Sequence, residues 1–206
     1  MKPQWIFFDL GSTLIDETAA DLRRIREMTA GTNITVEEYR EKRLEFIRQG
    51  VSGDRAAIAF FGLTKTPWHS EEEQPYPDAA PTLAALKRRG FQLGVIANQN
   101  PGTKLRLADW DLLQYFDVIA ASAEEGVEKP DPAIFQLALM RASCRPDLAV
   151  MIGDRMDNDI APAKALGLHT VRLLRGLGAY HTVRSSKEEP EYTIRDLTEL
   201  LQLFHD

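Results

Sequence analysis

Five short apolar runs, at residues 5–8, 93–97, 118–121, 149–152 and 169–173, constrain this chain more than any other feature. The first four are apolar almost throughout, the fifth mixes His169, Thr170 and Arg172 with Val171 and Leu173, and each is preceded or followed by a helical pattern. A strand exposed on one face alternates apolar with polar residues, whereas a strand covered on both faces does not. Strands that recur between helices are joined by crossovers and lie parallel. The chain is therefore predicted to be an α/β protein with a parallel sheet. At 206 residues and 44% hydrophobic content it can bury one full core plus a small appended unit, not two large domains.

The helical segments carry clear punctuation. Asp78 is expected to cap a helix that holds Pro81 in its first turn, buries Leu83 and Leu86 and stops at Gly90. A second begins near Asp131-Pro132 and buries Ile134, Leu137 and Ala138; a third follows Asn158 and ends at Gly167. Between the first strand and Asp78 the periodicity is helical, with no convincing strand. Leu22, Ile25 and Met28 form one stripe, and Thr35 with Glu38 spells a capping box before a helix carrying Tyr39, Leu44, Phe46 and Ile47. A third short helix is expected over 56–61, and 64–77 reads as the return linker. Residues 16–77 are thus expected to form an inserted helical cap, with 1–15 and 78–206 forming the core.

The net charge of -6, from 31 acidic and 25 basic residues mixed along the chain, leaves no basic patch for nucleic acid. The apolar stretch before Asp9 is too short for a signal peptide or membrane span, so a cytoplasmic protein is expected. The single cysteine, Cys144, excludes an intramolecular disulfide and a cysteine-rich metal site; it reads as an apolar filler on a helix. His69, His169, His181 and His205 show no metal-ligand spacing, the charges at 71–73 and 187–189 read as solvated loops, and 176–186 reads as a mobile loop near the site. Trp68 reads as packing between cap and core.

Ligands of parallel α/β sheets bind where strands end at their carboxyl edge. Asp9 ends the first strand, Asn98 the second, Lys129 follows the third, and Asp154 and Asp159 follow the fourth. Converging carboxylates suit a hard cation that prefers oxygen ligands, and a lysine and an amide complete an anion cradle. With that charge screened, one aspartate can attack a phosphoryl group.

At these residues the chain resembles the haloacid dehalogenase-like superfamily. The segments Phe8-Asp9-Leu10-Gly11-Ser12-Thr13-Leu14, Val95-Ile96-Ala97-Asn98, Lys129-Pro130-Asp131-Pro132 and Gly153-Asp154-Arg155-Met156-Asp157-Asn158-Asp159 look like its four motifs, in order, across 1–15 and 78 to about 175. The resemblance implies a Rossmann-like core with a small helical cap that selects substrates. It implies Asp9 as nucleophile and Mg²⁺ ligand, the Gly11 carbonyl and Asp154 as further ligands, and Asp159 supporting the metal. It implies Lys129 as the stabiliser of nucleophile and phosphoryl group, with Ser12, Thr13 and Asn98 also facing substrate. The expected activity is Mg²⁺-dependent hydrolysis of a small phosphorylated metabolite through an aspartyl-phosphate on Asp9, by a monomer or homodimer.

Two positions depart from that pattern. Typical phosphatases of the superfamily carry a second aspartate two residues after the nucleophile, as acid then base, where this chain has Gly11; losing such a group forfeits about two to four orders of magnitude in rate. A good leaving group, or Asp16 or Glu17, could compensate in part. The second motif usually ends in serine or threonine, where this chain has Ala97, and Asn98 or Ser12 could replace the lost hydrogen bond. These departures leave open a non-catalytic, phospholigand-binding member of the fold. Gly11 alone also permits a 2-haloacid dehalogenase, but a metal-free dehalogenase has no use for Asp154 with Asp159. A receiver-type phosphorylation module would leave the cap unexplained.

Overall fold

A computed structural model describes residues 3–186 and 188–204. Lys187 and His205 lie outside the described residues. The strands are β1 (Trp5–Phe8), β2 (Ile15–Asp16), β3 (Gln74–Pro75), β4 (Gln92–Ala97), β5 (Val118–Ala121), β6 (Ala149–Gly153), β7 (His169–Leu173) and β8 (Tyr192–Ile194). The α-helices are α1 (Thr18–Thr29), α2 (Val36–Arg48), α3 (Gly53–Phe61), α4 (Ala79–Arg88), α5 (Thr103–Asp109), α6 (Ser122–Glu125), α7 (Pro132–Arg141), α8 (Ala161–Ala165) and α9 (Leu200–Leu203).

Six strands form one sheet in the order β5-β4-β1-β6-β7-β8, with every neighbouring pair parallel. The fold is α/β and Rossmann-like. All five runs are strands of this sheet, and burial on both faces is the reason the first four lack alternation; β7 buries the polar Thr170 and Arg172 as well. On one face Ile6 and Phe8 of β1 pack with Leu83 and Leu86 of α4 and with Leu200; on the other, Phe7 packs with Ile134, Phe135 and Ala138 of α7. Phe7 is in register with Gly94 of β4, where a Cβ would lie 2.6 Å from its ring, so the glycine makes room for it.

Several local expectations change. The sixth strand, β8, is exposed at two of its three residues and carries too little apolar pattern to be read from sequence. The return linker contains β3, which pairs antiparallel with β2, and a 3₁₀ turn at Ser70–Glu72. Helix α7 presents Phe135 and Leu139 to the sheet alongside Ile134 and Ala138, which rotates Leu137 partly outward. Cys144 lies just beyond α7 rather than on a helix, and its Sγ donates to the Arg145 carbonyl. Asp78 precedes α4 but makes no side-chain cap bond. Its carboxylate instead accepts Arg175 Nη2 at 2.6 Å and the Leu197 amide at 3.0 Å, tying the end of the return linker to the far side of the core.

Helices α1, α2 and α3 are inserted between β1 and β4. The capping box at Thr35 and Glu38 forms as expected, but α2 buries Tyr39, Arg43 and Ile47, with Leu44 and Phe46 only partly covered. The apolar cluster here is small: Ile25, Met28, Tyr39 and Ala57. Arg43, 2% exposed, completes it by donating from Nη1 and Nη2 to the two oxygens of Asp21 at 2.7 and 2.6 Å. Arg24 donates to Asp54 at 2.6 Å, and the Tyr39 hydroxyl reaches the same carboxylate at 2.9 Å. A paired buried charge is tolerable, whereas removing one partner strands the other. Arg43→Ala is expected to lower stability by on the order of 2–3 kcal/mol in urea unfolding, because Asp21 and Asp54 retain some solvent. A loss below about 1 kcal/mol would show that the apolar cluster alone holds these helices.

Candidate active site

The chain leaves β1 toward β4 and β5 on one side, and later returns to β6, β7 and β8 on the other. The direction of winding reverses between β1 and β6, and at such a point the connections diverge and leave a crevice at the carboxyl edge. Asp9 and Asp154 stand one residue beyond these two strands. The Asp9 amide donates to the Ile152 carbonyl at 2.9 Å, so the ladder continues to the site itself and fixes the Asp9 backbone.

After Asp154 the chain forms a π-helical turn, Met156–Ile160, in which the amides of Asp159 and Ile160 both donate to the Arg155 carbonyl. This turn folds Asp159 back over the end of β6. Gly153 is what allows it: a Cβ there would lie 2.4 Å from Asp159 Oδ2. Asp159 Oδ2 accepts the Arg155 amide at 3.0 Å, while Oδ1 accepts Lys129 Nζ at 2.6 Å. Lys129 also donates to Asp9 Oδ1 at 2.7 Å. Lys129 is in turn positioned by Asn98, whose Oδ1 accepts its amide at 2.7 Å and whose Nδ2 donates to its carbonyl at 2.8 Å.

Asp9, Asp154 and Asp159 are all buried, and one oxygen from each lies within 4.8 Å of the others. Three carboxylates against one ammonium leave an excess of negative charge. Burial, then the charges of Asp159 and Asp9, push the Asp154 carboxyl well above the usual carboxylate range. Burial, offset in part by Lys129 and reinforced by Asp9, pushes Asp159 up to about 6. Burial opposes the charge on Lys129, but Asp159 and Asp9 outweigh it and raise its proton affinity. Asp154 Oδ1 is buried with no hydrogen-bond partner. An unpartnered carboxylate oxygen beside two more carboxylates is the donor set of a hard divalent cation, so these residues fit a metal.

The other expected residues fall around this centre. Ser12, in left-handed backbone conformation at φ 55°, donates from Oγ to Glu17 Oε2 at 3.3 Å rather than standing open. Thr13 is fully buried; its hydroxyl has no partner and its carbonyl accepts Arg175 Nη1. Gly11 sits at an isolated bridge with Ile15, its α-carbon facing the Glu17 carboxylate. Asn98 has a positioning task, since both ends of its amide engage the Lys129 backbone.

Sequence reasoning placed 176–186 near the site but missed what holds it as a roof. Gly176–Tyr180 forms a 3₁₀ turn held by Arg172, whose Nη2 donates to the carbonyls of Gly178 and His181. The segment expected to be mobile is thus tied down at its start, over the site. A Cβ at Gly178 would lie 2.3 Å from Asp154 Oδ2 and 2.4 Å from its carbonyl. The paired glycines at 176 and 178 were the available signal. Trp68, expected between cap and core, packs beneath Arg24 at 4.7 Å and donates to Glu73 Oε1 at 2.5 Å, both within 16–77. Gly178→Ala is expected to cost on the order of 1–3 kcal/mol, since backbone as well as carboxylate must move. A denaturation midpoint unchanged from wild type would show the roof to be loose.

Known proteins resemble the chain in both sequence and fold. It is 36% identical over 139 residues to the glyceraldehyde 3-phosphate phosphatase of Methanopyrus kandleri, a match covering 65% of this chain but only 58% of that protein. It is 31% identical over 196 residues to the glyceraldehyde 3-phosphate phosphatase of Methanothermobacter thermautotrophicus, covering 81% and 83% of the two. The crystal structure of a HAD phosphatase from Thermococcus onnurineus aligns over 98% of this chain and 97% of its own, with a TM-score of 0.67 and 27% identity. A family model for haloacid dehalogenase-like hydrolase matches residues 3–167, and the chain belongs to that family.

Proposed function

We propose that the protein is a Mg²⁺-dependent phosphatase of small phosphomonoesters that acts through an aspartyl-phosphate on Asp9. The observation that carries this reading is the Lys129 ammonium bridging Asp9 and Asp159 beside the unpartnered oxygen of Asp154. Asp9 is the most exposed of the three carboxylates. Lys129 engages its Oδ1, which leaves Oδ2 to attack phosphorus. Mg²⁺ held by Asp9, the Gly11 carbonyl and Asp154, with Asp159 supporting from behind Lys129, would supply the positive charge that draws a phosphoryl group into this acidic site. Lys129 neutralises the charge that develops on the phosphoryl oxygens. Asn98 keeps Lys129 at its post by holding both sides of its peptide.

Residues 16–77 serve in this reading as the cap over the site. The glyceraldehyde 3-phosphate phosphatases among the relatives make small phosphorylated aldehydes and sugars the first substrates to try. No helix among the described residues is long and apolar enough to cross a membrane, which suits a soluble metabolite. A dehalogenase would leave the charge pattern at Asp154 and Asp159 without a purpose, and a purely binding role gives no reason to hold Asp9 by a buried ammonium.

Phosphate release from an activated aryl phosphate and from a panel of triose, sugar and nucleotide phosphates checks the proposal. Release is expected with Mg²⁺, is expected to vanish with EDTA, and should fall by about ten-thousand-fold or more in Asp9→Asn. Protein that binds Mg²⁺ yet releases no phosphate from any ester would point instead to a phospholigand-binding role.

A further inference from the structure

Hydrolysis of an alkyl phosphate requires a proton on the departing oxygen and, later, a base for the attacking water. Most carboxylates near Asp9 are already engaged. Asp154 and Asp159 belong to the charged centre, Asp16 Oδ1 accepts the Thr18 amide, Asp21 binds Arg43, and Glu73 accepts the Trp68 indole. Glu17, like Asp16, forms no ion pair among the described residues and accepts one hydrogen bond, from Ser12 Oγ to Oε2, but its carboxylate alone lies against Gly11.

The placement of Glu17 explains Gly11. The Gly11 backbone is not left-handed, so conformation does not require a glycine there. What lies there is the Glu17 carboxylate: a Cβ at position 11 would lie 2.4 Å from Glu17 Oε1, 2.6 Å from its Cδ and 2.7 Å from Oε2. An aspartate carries its own carboxyl oxygens about 2.4 Å from its Cβ, given standard bond lengths. The Glu17 carboxylate thus fills the volume into which a side chain two residues beyond the nucleophile would project, and a side chain there would have to displace it. Ser12 fixes Oε2 and leaves Oε1 against Gly11.

We propose that Glu17 is the proton-transfer residue of this enzyme, delivering from the start of α1 the carboxyl that position 11 lacks. The inference rests on the phosphatase reading. In the first step Asp9 Oδ2 forms a bond to phosphorus, the ester P–O bond breaks, and the leaving oxygen takes the proton of the Glu17 carboxylic acid, yielding the free alcohol. In the second step water attacks the same phosphorus and gives a proton to the Glu17 carboxylate as the Asp9–phosphorus bond breaks. Phosphate leaves, and Asp9 and Glu17 return to their starting states.

The test compares Glu17→Gln with wild type on an alkyl phosphate and on an activated aryl phosphate whose leaving group departs without a proton. Alkyl ester turnover is expected to fall about a hundred- to ten-thousand-fold. First-turnover release from the aryl ester should fall less than about tenfold, since its departure needs no acid. Mg²⁺ affinity, read by calorimetry, should remain within about threefold, because Glu17 is no ligand. Gly11→Asp combined with Glu17→Ser should recover alkyl ester turnover relative to Glu17→Ser alone. An equal loss on both esters, a lost Mg²⁺ site, or failure of the double variant to recover overturns the assignment. Those outcomes leave the phosphatase reading standing so long as wild-type release is abolished by Asp9→Asn; absence of release by wild type on both esters overturns both.

Discussion

Three buried carboxylates cannot all be ionised within 4.8 Å of one another unless positive charge stands among them, and the rest of the site is organised around the one ammonium that does. Lys129 is 3% exposed and donates to Asp9 and to Asp159. Its stem comes from the loop before α7, its peptide is held by Asn98 at the end of β4, and its two acceptors come from β1 and from the turn beyond β6. Four segments far apart in the chain therefore meet at one charge. A single ammonium does not balance three carboxylates, and the raised proton affinities of Asp154 and Asp159 express that deficit. The same deficit gives the site its appetite for a divalent cation.

The sheet supplies the precision this arrangement needs. Asp9 and Asp154 are held by neighbouring parallel strands whose register pairs Phe8 with Ile152. Their separation is thus set by a hydrogen-bonded ladder rather than by loop conformation. Strand packing reinforces it: Phe7 lies over Gly94 on one face while Ile6 and Phe8 enter the larger cluster on the other. By contrast, the inserted helices rest on a small apolar cluster of four buried residues and a network of arginine–aspartate pairs. Charged networks of that kind fix geometry through directional bonds, while adding less net stability than an apolar core of the same size.

The strands and the charged centre were legible in the sequence for one reason: each leaves a local signature. Burial on both faces turns a strand into an apolar run, as in four of the five strands read from sequence, while β7 buries the polar Thr170 and Arg172 as well. A carboxylate directly after such a run lies at the carboxyl edge, which located Asp9 and, one residue on, Asp154; Asp159 was located by its spacing in the fourth motif. What escaped depends on contacts between distant segments. β8 is an exposed edge strand with no apolar run to betray it. Arg43 interrupts the apolar face of α2, and only Asp21 and Asp54, from other helices, make its burial reasonable. Asn98 was read as a contact for substrate because its partner, the Lys129 backbone, lies thirty-one positions away. The segment over Asp154 was expected near the site, but its anchoring escaped because Arg172 resembles any other strand-end arginine until its two carbonyl partners are known.

Close packing of carboxylates against glycine α-carbons recurs through this site and links its architecture to its chemistry. At Gly11, Gly153 and Gly178 a Cβ would fall within 2.4 Å of an oxygen of Glu17, Asp159 and Asp154 respectively, and none of the three glycines has left-handed backbone. Gly178 is required by the Asp154 backbone and Gly153 by the Asp159 Cβ at 2.5 Å, whereas Gly11 faces the end of the Glu17 side chain. A methylene surface excludes water from a carboxylate while offering no strong donor in return, so the charged form loses solvation without compensation. Burial is accordingly the largest influence on all three groups: it lifts Glu17 to about 8, Asp159 to about 6 and Asp154 well above the usual carboxylate range. For Asp154 and Asp159 the nearby acidic groups and Lys129 make a cation the natural relief. Glu17 stands at the start of α1, with Ser12 as its only donor among the described residues. One packing device thus recurs at three acidic groups of the site, two of them in the carboxylate cluster and the third beside the loop that follows Asp9.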